Sequence, residues 1–274
     1  MHPQPLFSIG PFSVYAYGVC MAVGIILCFV FLMITMWRMK FNEDAADKIL
    51  LIGVFGTGFG IFAAMLFQSV YNFIEDPSDG FKLGGMTFIG GLIGGVVSFL
   101  GVYWLYIYVI APRTNIKFLR NNMNATLTDA LPFIPIGIVI AHAFGRLGCL
   151  FGGCCYGKAV AEGVWGLPCS QYDNILRVPT QLYEMLFLLA LGIVMAVLYF
   201  KFRFYYNFGL YAITYGIWRF IIEYFRDDPR GVLIPGVLYP SQIWSIVMVV
   251  LGVGYILLQY FVLAKHMKHP ELKN

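Results

Sequence analysis

The stretch HAFGRLGCLFGGCCYGK, His142 to Lys158, sets one arginine and three cysteines among glycines. Arg146 and Cys149 are three residues apart, so on a helix they share a face, and a guanidinium beside a thiol favours the thiolate as nucleophile or metal ligand. Cys154 and Cys155 follow Gly152 and Gly153, where a helix should break. Three plainer readings stay open: packing residues, a disulfide to Cys169, or replacements of polar side chains. A second stretch, YGIWRFIIEYFRDDPRG, carries Arg219 and Glu223 four apart on one face, and Arg226 continues it three residues later. An ion pair accounts for the second stretch but not for Arg146, which has no acidic neighbour in its own apolar run. Ionisable residues at membrane depth mark functional sites. Arg146 and Arg219, partly neutralised by Glu223, can hold an anion, and the abundant anion of a membrane is a phospholipid phosphate, which arginine grips as a bidentate fork.

The surroundings explain why membrane depth is the right frame. Of 274 residues 60% are hydrophobic and only 12% charged, against about 25% charged in a soluble domain. Seven apolar runs, at about 12–37, 49–71, 88–111, 130–152, 182–200, 208–225 and 238–264, are long enough to cross the bilayer. They predict an all-α integral membrane protein of seven transmembrane helices, a single polytopic domain over 1–274. The opening MHPQPLFSIGP has no Lys or Arg and the run after it is too long for a signal-peptide core, so it reads as a retained span. Between the spans, Arg38, Lys40, Lys48, Arg113, Lys117, Arg120, Lys201, Arg203, Lys265, Lys268 and Lys273 fall on one side. Only Lys82, Lys158, Arg177, Arg226 and Arg230 fall on the other. The positive-inside rule then places the N-terminus outside and the C-terminus in the cytoplasm. The net charge of +4 reflects this asymmetry and gives no support for nucleic-acid binding.

Two further segments stand out. The longest connection, about 153–180, is a candidate substrate gate. GGMTFIGGLIGG, Gly84 to Gly95, pairs Gly90 with Gly94 and Gly91 with Gly95 at the spacing that lets helices approach closely, or that makes room for a lipid headgroup. No metal or cofactor is expected. C-x4-C-C lacks the usual C-x2-C spacing of a zinc site, and His142 lies two helical turns before Cys149. His2, His266 and His269 are terminal and carry no signal, and the outward C-x-x-C of a quinone-linked thiol oxidoreductase is missing from the sequence.

Several blocks together resemble the bacterial phosphatidylglycerol–prolipoprotein diacylglyceryl transferase family. VYAYGVCMAVG is similar to its first-span block, GGMTFIGGLIGG to its glycine-rich third-span block, and GRLGCLFGGCCYG to its signature. RVPTQLYE, YGIWRFIIEYFR and LYPSQIWSI resemble the blocks of the fifth, sixth and last spans. The resemblance implies a multi-pass protein of the bacterial cytoplasmic (inner) membrane whose site faces the outer leaflet. There a diacylglyceryl group would pass from phosphatidylglycerol, or another anionic phospholipid, to a cysteine thiol of a prolipoprotein or other thiol acceptor. It implies Arg146, Arg219 and Glu223 as catalytic residues, with Tyr17 and Gly157 along the lipid, where the spacing readings also set Gly90, Gly91 and Arg226. The departures are specific: the family's usual asparagine is Cys149, its usual glutamate is Cys154, and its usual histidines are Ile89 and Val178. Cys149 and Cys154 therefore enter as candidate catalytic residues, including as covalent nucleophiles. Two other classes stay open: an anionic-lipid-binding protein without catalysis, and a thiol-redox or metal-handling protein built on Cys149, Cys154, Cys155 and Cys169.

Overall fold

A computed structural model describes residues 5–10, 12–83, 85, 87–114, 127–228 and 239–261. Gly84, Lys117, Arg120, Arg230, Leu238, Lys265, Lys268, Lys273, His2, His266 and His269 lie outside the described residues. The chain divides into two compact units, one of residues 1–35 with 128–269 and one of residues 36–127 with 270–274.

The first unit opens on a short hairpin ahead of its helices. Strands β1 (Pro5–Ile9) and β2 (Phe12–Tyr15) pair antiparallel, with Ser8 opposite Ser13 and a turn at Gly10, φ 59°. The alternation Phe-Ser-Val-Tyr suits a strand, and the helical period begins only at Ala16, so the first apolar run enters its helix four residues later than its hydropathy suggests. Helix α1 (Ala16–Arg38) follows. The unit continues with α4 (Ile134–Gly152), α5 (Thr180–Phe202), α6 (Asn207–Ile222) and α7 (Pro240–Phe261). Glycines on α4 seat it against α1: a Cβ on Gly137 would lie 3.0 Å from Cys28 Sγ, and one on Gly148 would lie 3.1 Å from the Tyr17 carbonyl. Asn207 Nδ2 donates to the Pro132 carbonyl at 2.9 Å, fixing the start of α6 to the turn before α4.

In the second unit α2 (Glu43–Glu75) starts six residues before its apolar run, because Asn42 Oδ1 caps it by accepting from the Ala45 N–H at 2.9 Å. Helix α3 (Phe88–Leu105) continues through a wider turn, Tyr106–Ile110, into Ala111–Arg113. The glycine repeat of α3 packs on α2: a Cβ on Gly60 would stand 2.9 Å from Gly95 Cα.

Six of these helices are long and apolar enough to cross a membrane: Ala16–Arg38, Glu43–Ile74, Ile93–Arg113, Ile134–Gly152, Thr180–Phe202 and Pro240–Phe261. The run expected at 208–225 behaves differently. Its helix has 16 residues and passes at Glu223 into a tight turn, Glu223–Phe225. At 1.5 Å per residue it is about 24 Å long, short of a ~30 Å hydrocarbon core. Large apolar side chains face outward along the helices, Ile26, Phe59, Val97, Ile193 and Leu251 among them, as lipid contact requires.

Candidate functional site: paired arginines, a carboxylate bridge and a thiol cluster

Helix α4 ends where its glycines dictate. Gly153 takes a left-handed φ of 68°, its N–H bonds the Leu150 carbonyl at 3.3 Å, and the Cys154 N–H reaches back to the Cys149 carbonyl at 3.2 Å. This paired closure needs a residue without a Cβ at the turn and folds the chain back over the last helical turn. Cys155 is also left-handed, φ 65°, uncommon for a residue with a side chain. The consequence is that the sulfurs of Cys149, Cys154 and Cys155 converge, all within 4.8 Å of one another. Helix α5 holds the turn in place: Thr180 Oγ1 donates to the Cys155 carbonyl at 2.6 Å and Gln181 Nε2 to the Cys154 carbonyl at 2.7 Å. Hydrogen bonds from the Cys149 and Cys154 thiols, aided by the charges of Arg226 and Arg146, hold the Cys155 thiol well below the usual thiol range.

All six cysteines are free, so the disulfide to Cys169 is not formed. Cys169 is buried instead with Leu150 and Tyr156 in an apolar cluster.

Three residues before Cys149, Arg146 meets partners from other helices. Its Nε lies 3.2 Å from Glu184 Oε2 on α5, and its Nη2 donates to the Tyr215 hydroxyl on α6 at 2.9 Å. Tyr215 in turn donates to Glu184 Oε1 at 2.7 Å. The result is a closed triangle of guanidinium, carboxylate and phenol from three helices. The expectation of an acid-free Arg146 holds only within its own helix; packing supplies Glu184, 1% exposed. A rule for ionisable groups at membrane depth, applied to the run starting near 182, finds Glu184 as readily as it finds Arg146. Beside the triangle, His142 Nδ1 and the Tyr211 hydroxyl are 2.8 Å apart, and the His142 ring meets Tyr215 edge-on at 4.6 Å. His142 thus meets local polar partners and stands apart from the thiols.

Arg219 lies one turn after Tyr215 on α6 and pairs with Glu223, Nη2 to Oε2 at 3.1 Å. Its Nη1 is buried and has no hydrogen-bond partner among the described residues. Arg226 does not extend the helical face, because the chain has left the helix; its Nη1 is 4.0 Å from the same Glu223 oxygen while Nε and Nη2 grip Asp228 at 3.0 and 2.8 Å. Gly157 pairs with Arg226 backbone to backbone, and a Cβ there would lie 2.5 Å from the Val178 carbonyl and 2.8 Å from that of Phe225. Tyr17 lies along Gly148 and Gly152 of α4. Gly90 and Gly91 belong to the second unit, where they pack against Phe67 and Ala64 of α2.

The connection 153–179 is organised around Arg177. Its guanidinium binds Asp173 at 2.7 Å and Asp227 at 3.0 Å and stacks on the Tyr156 ring at 4.8 Å. The hydrogen bond from Arg177 holds the Asp173 carboxyl below its ordinary range.

Fold and site together define a multi-pass helical membrane protein that holds Arg146 and Arg219 largely enclosed, each paired with a carboxylate, beside a cluster of thiols. Comparison with known proteins gives the class a family. The model of the prolipoprotein diacylglyceryl transferase family matches residues 4–258, and the chain belongs to that family. The phosphatidylglycerol–prolipoprotein diacylglyceryl transferase of Clostridium tetani is 28% identical over 261 residues, covering 90% of this chain and 94% of its own. Those of Serratia proteamaculans and Wolbachia pipientis are 31% and 30% identical, again over 90% of this chain, covering 90% and 91% of their own lengths. No solved structure shows significant similarity to the chain.

Proposed function

We propose that this protein is a transferase that moves the diacylglyceryl group of phosphatidylglycerol to the cysteine thiol of a prolipoprotein, releasing glycerol phosphate. Family membership and the relatives' names support the reaction. The observation that carries the site is the pair of largely enclosed arginines flanking Tyr215, one of which, Arg219, keeps a buried and unbonded Nη1 among the described residues. Displacement at the glyceryl carbon leaves negative charge on the departing phosphate, and fixed guanidinium groups lower the barrier where that charge develops. Glu184 and Glu223 hold Arg146 and Arg219 in register rather than acting on substrate. Arg226, bound to Glu223 and Asp228, and Gly157, packed against its backbone, shape the end of the same region, with Tyr17 beside α4.

In this reading the chain crosses the bacterial inner membrane seven times, the short α6 included, with its N-terminus outside and the site open to the outer leaflet. The charge distribution between the apolar runs supports that orientation. The test is to incubate the purified protein with phosphatidylglycerol and a cysteine peptide of prolipoprotein type and analyse the products by mass spectrometry. A diacylglyceryl thioether on the peptide with released glycerol phosphate is the expected result. Lipid bound but never turned over would establish a lipid-binding protein in its place.

A further inference from the structure

The cysteine cluster is unexplained by phosphate binding. Three sulfurs, delivered by the end of α4 and the two residues beyond Gly153, lie within 4.8 Å of one another, and no further His, Cys, Asp or Glu joins them among the described residues. Zinc thiolate bonds are about 2.3 Å, which puts the sulfurs of a tetrahedral site about 3.8 Å apart, so the cluster closes on an ion with shifts of about an ångström or less. Thiolates select soft or borderline ions such as Zn2+ over Mg2+ or Ca2+. The turn that carries the donors is held by the Thr180 and Gln181 hydrogen bonds to the Cys155 and Cys154 carbonyls.

Three protein ligands and an open fourth position distinguish a catalytic zinc from a structural one. The acceptor in the proposed reaction is itself a thiol, and a thiol that coordinates zinc is deprotonated outright. We infer that Cys149, Cys154 and Cys155 bind one Zn2+ whose fourth position receives the acceptor cysteine and presents it as a thiolate to the lipid. The acceptor S–H gives its proton to bulk water as the sulfur joins the metal. That sulfur then forms the C–S bond at the glyceryl carbon, the C–O bond to phosphate breaks, and the bonding pair leaves on glycerol phosphate beside the arginines. No oxidant or reductant is consumed. The inference rests on the transferase reading, and it supplies a way to ionise the acceptor thiol.

The experiment uses the full-length protein, purified in detergent under reducing conditions, stripped of metal and titrated with Co2+ as a spectroscopic substitute for Zn2+. One Co2+ per chain, with sulfur-to-cobalt charge transfer and the ligand-field bands of a four-coordinate site, is expected. A cysteine peptide of prolipoprotein type should then shift those bands, while the same peptide with serine should not. Cys149→Asn, Cys154→Ser and Cys155→Ser should each lose binding at unchanged gel-filtration profile, and Cys28→Ser should keep it. Zinc should raise turnover at pH 7 about 30-fold over the metal-free protein and flatten its rise with pH, since an ordinary thiol is only a few per cent thiolate there. Absence of stoichiometric Co2+, full binding by the Cys154→Ser protein, or bands indifferent to the cysteine peptide overturns the inference. Metal-free protein that turns over at the full rate also overturns it while leaving the transferase reading intact; no turnover with or without zinc counts against that reading itself.

Discussion

Arg219→Lys separates the two tasks assigned to this side chain. The guanidinium pairs with Glu223 through Nη2 at 3.1 Å and keeps Nη1 buried without a protein partner among the described residues. Lysine preserves the charge that Glu223 needs, so folding should be nearly unaffected, but a point-charge ammonium cannot extend a second donor in the guanidinium's fixed geometry. If Nη1 is a phosphate donor, the variant loses one hydrogen bond to a charged group, worth about 1.5–3 kcal/mol. At about 1.4 kcal/mol per decade this is a fall in kcat/KM of about 10- to 150-fold. The assay is diacylglyceryl transfer to a cysteine peptide over a range of phosphatidylglycerol concentrations, with thermal unfolding of the same detergent preparation measured in parallel. Wild-type kcat/KM in Arg219→Lys would refute the phosphate role of Nη1, and a fall matched by an equal loss of folded protein would show that the side chain serves stability alone.

Glu184→Gln leaves the largely enclosed Arg146 without its carboxylate, a loss that should cost about 3 kcal/mol, read as a lowered unfolding midpoint; an unchanged midpoint would mean that solvent screens Arg146. For the same reason Arg146→Ala, which strands Glu184 at 1% exposure, should lose folded protein as well as turnover, where Arg219→Lys should not. Gly157→Ala drives a Cβ to 2.5 Å from the Val178 carbonyl, a backbone atom that cannot rotate away, and should cost about 1–3 kcal/mol in unfolding experiments. Gly58→Ala, inside α2 with nothing within 4 Å, is the clash-free control and should be neutral to stabilising. Arg177→Gln removes the charge that joins Asp173 and Asp227, and limited proteolysis should then cut between 158 and 176 faster than in the parent, with little change in the unfolding midpoint because these pairs are partly exposed to solvent.

Much of this protein was determined by the order of its amino acids. Hydropathy along the chain marked the membrane helices, because a lipid-facing segment must be apolar whatever its neighbours are. Helical periodicity paired Arg219 with Glu223 and set Arg146 and Cys149 on one face, since residues three and four apart meet in any helix. The glycine pair at 152–153 announced the end of α4. Hydropathy was blind to local backbone chemistry at three places, the strand Phe12–Tyr15, the Asn42 cap that starts α2 early and the tight turn that ends α6 at Glu223.

Only the tertiary structure decided who neutralises Arg146. Glu184 and Tyr215 arrive from α5 and α6, 38 and 69 residues further along the chain, and their meeting depends on how each helix is rotated about its axis. The thiol cluster is of the same kind: C-x4-C-C spacing argued against a metal site. It took the left-handed Gly153 and Cys155, held by hydrogen bonds from Thr180 and Gln181, to turn three separated cysteines toward one point. Spacing along a chain specifies neighbours within a helix; partners across helices follow from packing, which no local pattern contains.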